Sequence, residues 1–193
     1  ELDVVTTEPN RYRSHRPDAP EAPNDDYRVF RVALPESRWG VIGQIRSFAA
    51  FGRSAASKAP EANYDMVVAT SSRLMTGALG AWLAARKGAS YYLDIRDIFL
   101  DTIRYIYPSA VVLPLQGLLS RIERYAISRA SRINLVSPGF LPYFQEVNPD
   151  KFYSLFTNGI DGDFDLANDN SEWSSTDKVH VVYAGNIGHG QGL

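Results

Sequence analysis

Asp65-Met66-Val67-Val68-Ala69-Thr70-Ser71-Ser72 passes from an unbroken apolar, β-branched run into small hydroxylated residues. Leu74 to Lys87 follows at once, rich in alanine and leucine and closed by Gly88. A short continuous apolar run is the mark of a strand covered on both faces. Ser71-Ser72 reads as a turn and candidate helix cap, and glycine after Lys87 as a helix stop. The order is strand, turn, helix, stop, and it recurs downstream. Ser90 to Ile95 is a strand ending at Arg96-Asp97, Val111 to Ala130 is a helix, and Arg132 to Ser137 is a strand. Pro138 opens a short helix through about Gln145, Lys151 to Phe156 is a strand, and Thr157-Asn158-Gly159-Ile160-Asp161 is a turn. Strands alternating with helices at this spacing predict an α/β fold, a doubly wound parallel sheet.

Upstream, Leu2 to Thr7 is a short β-branched strand, and Tyr27 to Val32 alternates like an edge strand. Glu8 to Asp26 between them is rich in proline and charge and is expected to be a long exposed loop. Val41 to Ala59 carries an apolar stripe (Ile42, Ile45, Phe48, Ala49, Ala55) and reads as a helix stopped by Pro60. At the other end, Asp163 to Lys178 has linker composition. Val179 to Tyr183 is again strand-like, and Gly185-Asn186-Ile187-Gly188-His189-Gly190 is a glycine loop of the kind that turns backbone N–H groups toward a phosphate. The expected organisation is a Rossmann-like domain over 1–162, a linker over 163–178, and the first strand and loop of a second domain over 179–193. A lone final strand carries an unpaired edge, so a dimer through it is a further expectation.

A chain of 193 residues buries one sizeable core. Its net charge of −2 gives no reason to expect a nucleic-acid partner. The absence of cysteine excludes disulfides and thiolate metal sites, and the scattered His15, His180 and His189 do not make a metal cluster. No stretch reaches the roughly 18–20 apolar residues that span a bilayer.

In sheets of this kind ligands bind beyond the carboxyl ends of the strands. Those ends carry Thr6-Thr7, Thr70-Ser71-Ser72, Asp94, Arg96, Asp97, Ser137 and Asn158. Asp94 and Arg96 lie two apart and so point to one face, and a buried carboxylate there needs a partner. Arg96 and Asp97 are candidates for facing a cleft; the alternative is an ion pair that ties a helix start. Ser71 and Ser72 either contact substrate or cap a helix. Asn158-Gly159 is a tight turn in any protein. Gly185, Asn186, Gly188 and His189 are candidates for phosphate, with a plain turn as the alternative. Leu113 to Arg132, with Arg121, Arg124 and Arg129, is either a basic face for anionic lipid or a solvated helix face. Ile103 to Leu119 is more apolar than one helix face requires, which marks it as the candidate for membrane or lipid-acceptor contact.

Taken in order, these pieces resemble the retaining glycosyltransferases of family 4. Val4 to Asn10 resembles the second strand of their acceptor-side domain. Tyr64-Asp65 to Ser72 is similar to their Asp-apolar strand-Ser element, and Asp94 to Phe99 to their Arg-Asp-apolar-aromatic element. Arg121-Ile122-Glu123-Arg124 leads a helix into Ile133 to Ser137. Thr157 to Asp161 with Phe164 resembles the Asn-Gly-apolar-Asp hinge, and Gly185 to Leu193 the first glycine loop of the donor side. The resemblance implies one half of a two-Rossmann GT-B fold, truncated at both ends, and a chain without transferase activity by itself. It implies a nucleotide-sugar donor, of UDP-sugar type, used as substrate with no separate cofactor. The acceptor would be a glycan or polyprenyl-linked molecule in lipopolysaccharide, capsule or other envelope-polysaccharide synthesis. It assigns Asp97 and Arg96 to catalysis, Ser71, Ser72, Asp94 and Asn158 to substrate, and Gly185, Asn186, Gly188 and His189 to donor phosphate. The setting would be cytoplasmic, peripheral at the inner face of the plasma membrane. The rival reading is a free-standing flavodoxin-like binding or signalling module with Asp94 or Asp97 as phosphoacceptor.

Overall fold

The structure, a computed structural model, describes residues 2–8, 27–35, 40–58, 63–71, 73–100, 103 and 109–159. The expected linker, final strand, strand-mediated dimer and glycine loop lie outside the described residues, as do Ser72 and most of the loop Glu8 to Asp26. Six parallel strands are described: β1 (Leu2–Thr7), β2 (Tyr27–Val32), β3 (Met66–Ser71), β4 (Ser90–Ile95), β5 (Arg132–Leu135) and β6 (Tyr153–Leu155). The helices are α1 (Gly40–Lys58), α2 (Leu74–Lys87), α3 (Ser109–Arg129) and α4 (Leu141–Val147), with a 3-10 turn over Pro138–Phe140. The chain is thus α/β with parallel strands, in the Rossmann manner.

The strands are divided between two sheets. β1 pairs with β2, and the rest form a four-stranded sheet in the order β3-β4-β5-β6. The pair is tied across by Asp3. It accepts Arg28 through both carboxylate oxygens, at 2.7 and 2.9 Å, and the Tyr64 hydroxyl from the segment leading into β3, at 2.5 Å. The hydrogen bonds from these two partners, Arg28 foremost, hold the Asp3 carboxyl below its ordinary pKa. α1 packs on β1, β2 and α2.

The core lies on one face of the larger sheet. Odd-numbered residues of β3, β4 and β5 (Ala69, Tyr91, Leu93, Ile95, Ile133, Leu135) meet Ala81 and Ala84 of α2, Ala126 and Ile127 of α3, and Phe144 of α4. Helix α2 comes unusually close. A Cβ on Gly80 would lie 2.7 Å from the Ala69 Cβ and 2.9 Å from Tyr91 Cε2. Only glycine admits that approach. It lets the Tyr91 hydroxyl donate to the Gly77 carbonyl at 2.6 Å inside the core, where burial pushes its pKa well above the usual phenol value. Gly88 ends α2 at φ 66°, the left-handed conformation that glycine adopts without strain, and its N–H donates to Ala84 O. α4 is fixed by Tyr153, whose hydroxyl donates to Phe144 O and Asn148 O at 2.7 and 2.9 Å. Burial, with Glu123 nearby, pushes that phenol up to about 12.

β3 is not covered on both faces. Met66 and Val68 are 52% and 59% exposed, while Ala69 between them and α2 is buried. The N-cap position of α2 falls one residue beyond the expected Ser71-Ser72. Ser71 is the last residue of β3, and the N-cap of α2 is Arg73, with no side-chain cap bond. β5 stops at Leu135 rather than Ser137 because Ser137 turns to accept Gly139 N–H and caps the Pro138 turn.

Candidate functional site

The register of the four-stranded sheet aligns Thr70 with Asp94, Asp94 with Asn134, and Asn134 with Ser154. All four side chains therefore stand on one face, in a single row next to the strands' carboxyl ends. The row is hydrogen-bonded throughout. Thr70 Oγ1 donates to Asp94 Oδ2 at 2.8 Å and Asn134 Nδ2 donates to Asp94 Oδ1 at 2.8 Å. Ser154 Oγ donates to the Ile133 carbonyl at 2.9 Å and sits 3.5 Å from Asn134 Oδ1.

Arg96 completes the row from beyond the end of β4. Its Nε–H is shared between Thr70 Oγ1 at 2.9 Å and Asp94 Oδ2 at 3.0 Å, and its Nη1 donates to Asn158 Oδ1 at 2.8 Å. Among the described residues its Nη2 makes no hydrogen bond, and the side chain is 48% exposed. Asp94 and Asn134 are buried. Burial alone would raise the Asp94 pKa. Hydrogen bonds from Asn134, Thr70 and Arg96, with the guanidinium charge, outweigh it and hold the carboxyl below its ordinary value. The arrangement is an ion-paired, pre-ordered guanidinium presented at the sheet edge. It suits a planar donor that meets a phosphate or vicinal hydroxyls, since its geometry is already fixed on two sides.

Of the residues singled out in the sequence, the structure brings together Asp94, Arg96 and Asn158. It sets Asp97 apart. Asp97 lies on the other side of the sheet, with Leu93 and Ile95, beside a cavity of about 40 Å³ that Arg73, Leu74, Gly77, Phe99 and Glu123 also line. That space holds about one water and no sugar. The ion pair of Arg96 is made with Asp94, so no Arg96–Asp97 pair ties the helix start. Ser71 has only its backbone described, in register with Ile95. Ser72, Gly185, Asn186, Gly188 and His189 lie outside the described residues. Both Asp94 oxygens accept hydrogen bonds within the row. A hollow of about 380 Å³ opens between α3 and α4, lined by Leu100, Ser120, Glu123, Arg124, Tyr143, Glu146 and Val147. Among the described residues no group of three or more His, Cys, Asp or Glu could hold a metal, and no helix is long and apolar enough to cross a membrane.

Asn134 was not legible as a site residue. The available signal was a lone amide inside the apolar strand Arg132-Ile133-Asn134-Leu135, at the alternation that register makes equivalent to Asp94.

A parallel α/β domain with a polar row and an ordered arginine at the carboxyl edge of its sheet belongs to the class of Rossmann-like ligand-binding domains. Residues 1–151 match the family model described as a glycosyl transferase 4-like domain, and the chain belongs to that family. Comparison with curated proteins gives no match. The family makes the chain a glycosyltransferase-type chain, with a sugar donor and an acceptor as substrates in general.

Proposed function

We propose that the protein transfers a sugar from a nucleotide-activated donor, of UDP-sugar type, to a glycan or polyprenyl-linked acceptor, with retention of configuration. The observation that carries this reading is the Thr70–Asp94–Asn134 row with Arg96 at the sheet edge, in a chain of the glycosyl transferase 4-like family. Cleavage at an anomeric carbon passes through an oxocarbenium-like state and builds charge on the departing diphosphate. Fixed cations and backbone N–H groups stabilise that charge without reorganising. Arg96 is such a cation. The glycine loop with Gly185, Asn186, Gly188 and His189 is assigned to the same task from the donor side, and Asn158, held by Arg96, to the acceptor; Asp97, across the sheet, is not placed with them. No cofactor is invoked, because the nucleotide sugar is consumed as substrate. The domain would span 1–162, with 163–178 as linker and 179–193 opening a donor domain, and the isolated chain would not turn over.

The envelope-polysaccharide role rests on a surface. Leu113, Leu115 and Leu118 of α3 are 66%, 43% and 54% exposed, and Arg121, Arg124 and Arg129 follow on the exposed side of the same helix. Apolar side chains followed by arginines suit an anionic bilayer surface and a lipid-linked acceptor at the cytoplasmic leaflet.

A thermal-shift screen of the full-length protein against nucleotide sugars tests the reading. One nucleotide sugar should raise the midpoint, by the equivalent of about 2.7 kcal/mol at a hundred times its Kd, while its free sugar does not. Failure of every nucleotide sugar at millimolar concentration overturns it.

A further inference from the structure

We infer that Asn134 is the positioning residue of this ligand edge: one buried amide sets both the guanidinium of Arg96 and the place where the chain leaves β6. The inference deepens the proposed reading of that edge and rests on it only for the use made of Arg96. The Asn134 amide has a single workable orientation. Asp94 Oδ1 can only accept and the Phe156 N–H can only donate, so Nδ2 must face the carboxylate and Oδ1 the backbone. The distances are 2.8 Å for Nδ2 to Asp94 Oδ1 and 2.8 Å for Phe156 N to Asn134 Oδ1. Nδ2 also donates to Phe156 O at 3.1 Å.

The side chain thereby acts as one more rung of the ladder. Backbone pairing of β5 and β6 ends at Leu135 with Leu155, and Phe156, the first residue beyond β6, is gripped by an amide side chain through both its N–H and its C=O. Apolar burial does not hold Phe156, whose residue surface is 67% exposed. Two residues on, Asn158 Oδ1 accepts from Arg96 Nη1. A closed circuit results: Asn134 to Asp94, Asp94 to Arg96, Arg96 to Asn158, and back along the chain through Phe156 to Asn134. Arg96 is held on two sides because the exit segment is held, and the exit segment is held by Asn134.

The test uses nuclear magnetic resonance on the full-length chain and no substrate. The Arg96 Nε–H signal is assigned by its loss in Arg96→Lys. In Asn134→Ala its exchange with water, and that of the Phe156 amide, should quicken at least tenfold. Tyr153→Phe removes two hydroxyl bonds of β6, to Phe144 O and Asn148 O, without touching Asn134, Asp94 or Phe156, and should leave both within twofold. If Asn134→Ala does not fold, Asn134→Thr suits a strand but is too short to span both partners, and the same readings apply. Unchanged Arg96 Nε–H exchange in a folded Asn134 variant, or an equal change in Tyr153→Phe, overturns the inference. The readout is not catalytic, so its failure is distinct from failure of the transferase reading, which the nucleotide-sugar screen addresses.

Discussion

Replacing Asp94 with asparagine keeps the size of the side chain and reverses one of its faces. The carboxylate accepts Asn134 Nδ2 through Oδ1, and Thr70 Oγ1 and Arg96 Nε through Oδ2. A carboxamide must turn its NH2 toward one of those donors whichever way it flips, because the Asn134 amide is itself fixed by Phe156. One buried donor is then opposed by another, at about 1–3 kcal/mol. Loss of attraction to Arg96, whose side chain is 48% exposed and screened by water, adds about 1 kcal/mol at most. Asp94→Asn should therefore cost about 2–3 kcal/mol at pH 7, lowering Tm by roughly 5–10 °C for a chain of this size. The sign with pH follows from a folded pKa below the ordinary 3.8. The Asp94 contribution is complete above that ordinary value and is lost as pH falls through the folded value. The gap between wild type and variant should thus hold from pH 7 down to about 4, then narrow by about 1.4 kcal/mol per pH unit. Urea unfolding followed by circular dichroism at stepped pH measures it. A gap below about 0.5 kcal/mol at pH 7, or one that widens in acid, would refute the reasoning.

Two helix glycines should respond oppositely to alanine. Gly80→Ala drives a Cβ to 2.7 Å from Ala69 and should destabilise by about 1–2 kcal/mol after the gain in helix propensity, whereas Gly52→Ala meets only Leu79 methyls at 3.7 and 3.9 Å and should stabilise by about 0.5–1 kcal/mol; urea midpoints that move together contradict the packing. Asp97→Asn in the full-length enzyme should leave turnover per folded molecule close to wild type, because Asp97 lies across the sheet from Arg96; a loss of tenfold or more, about 1.4 kcal/mol, with Tm unchanged would return Asp97 to the site. The combined substitution of Leu113, Leu115 and Leu118 by serine should weaken sedimentation with anionic vesicles at least tenfold; undiminished binding removes α3 from the membrane surface.

Local chemistry was readable where one residue type answers one backbone need. The run Ser90 to Ile95 is a strand over those same residues because β-branched and aromatic side chains there fill a core, and Gly88 stops α2 because φ 66° excludes other residues at low cost. Pairing was not readable. The split into β1-β2 and β3 to β6 depends on which strand lies beside which, and the apolar run of β3 looks identical whether one face or both are covered, as Met66 and Val68 show. The site divided in the same way. Spacing of two put Asp94 and Arg96 on one face, as found. It could not give the register that brings Asn134 and Thr70 against Asp94. Adjacency in sequence made Arg96 and Asp97 look like partners, although neighbours on an extended chain point to opposite faces.

The most direct test of the account is the initial rate of sugar transfer, per folded molecule, by full-length Arg96→Gln compared with wild type, using the nucleotide sugar that the thermal screen identifies. Glutamine keeps a hydrogen-bond donor at the sheet edge and removes the fixed cation. The account predicts a rate at least tenfold lower, corresponding to about 1.4 kcal/mol of transition-state stabilisation. Transfer at the wild-type rate would contradict the placement of the substrate at this edge.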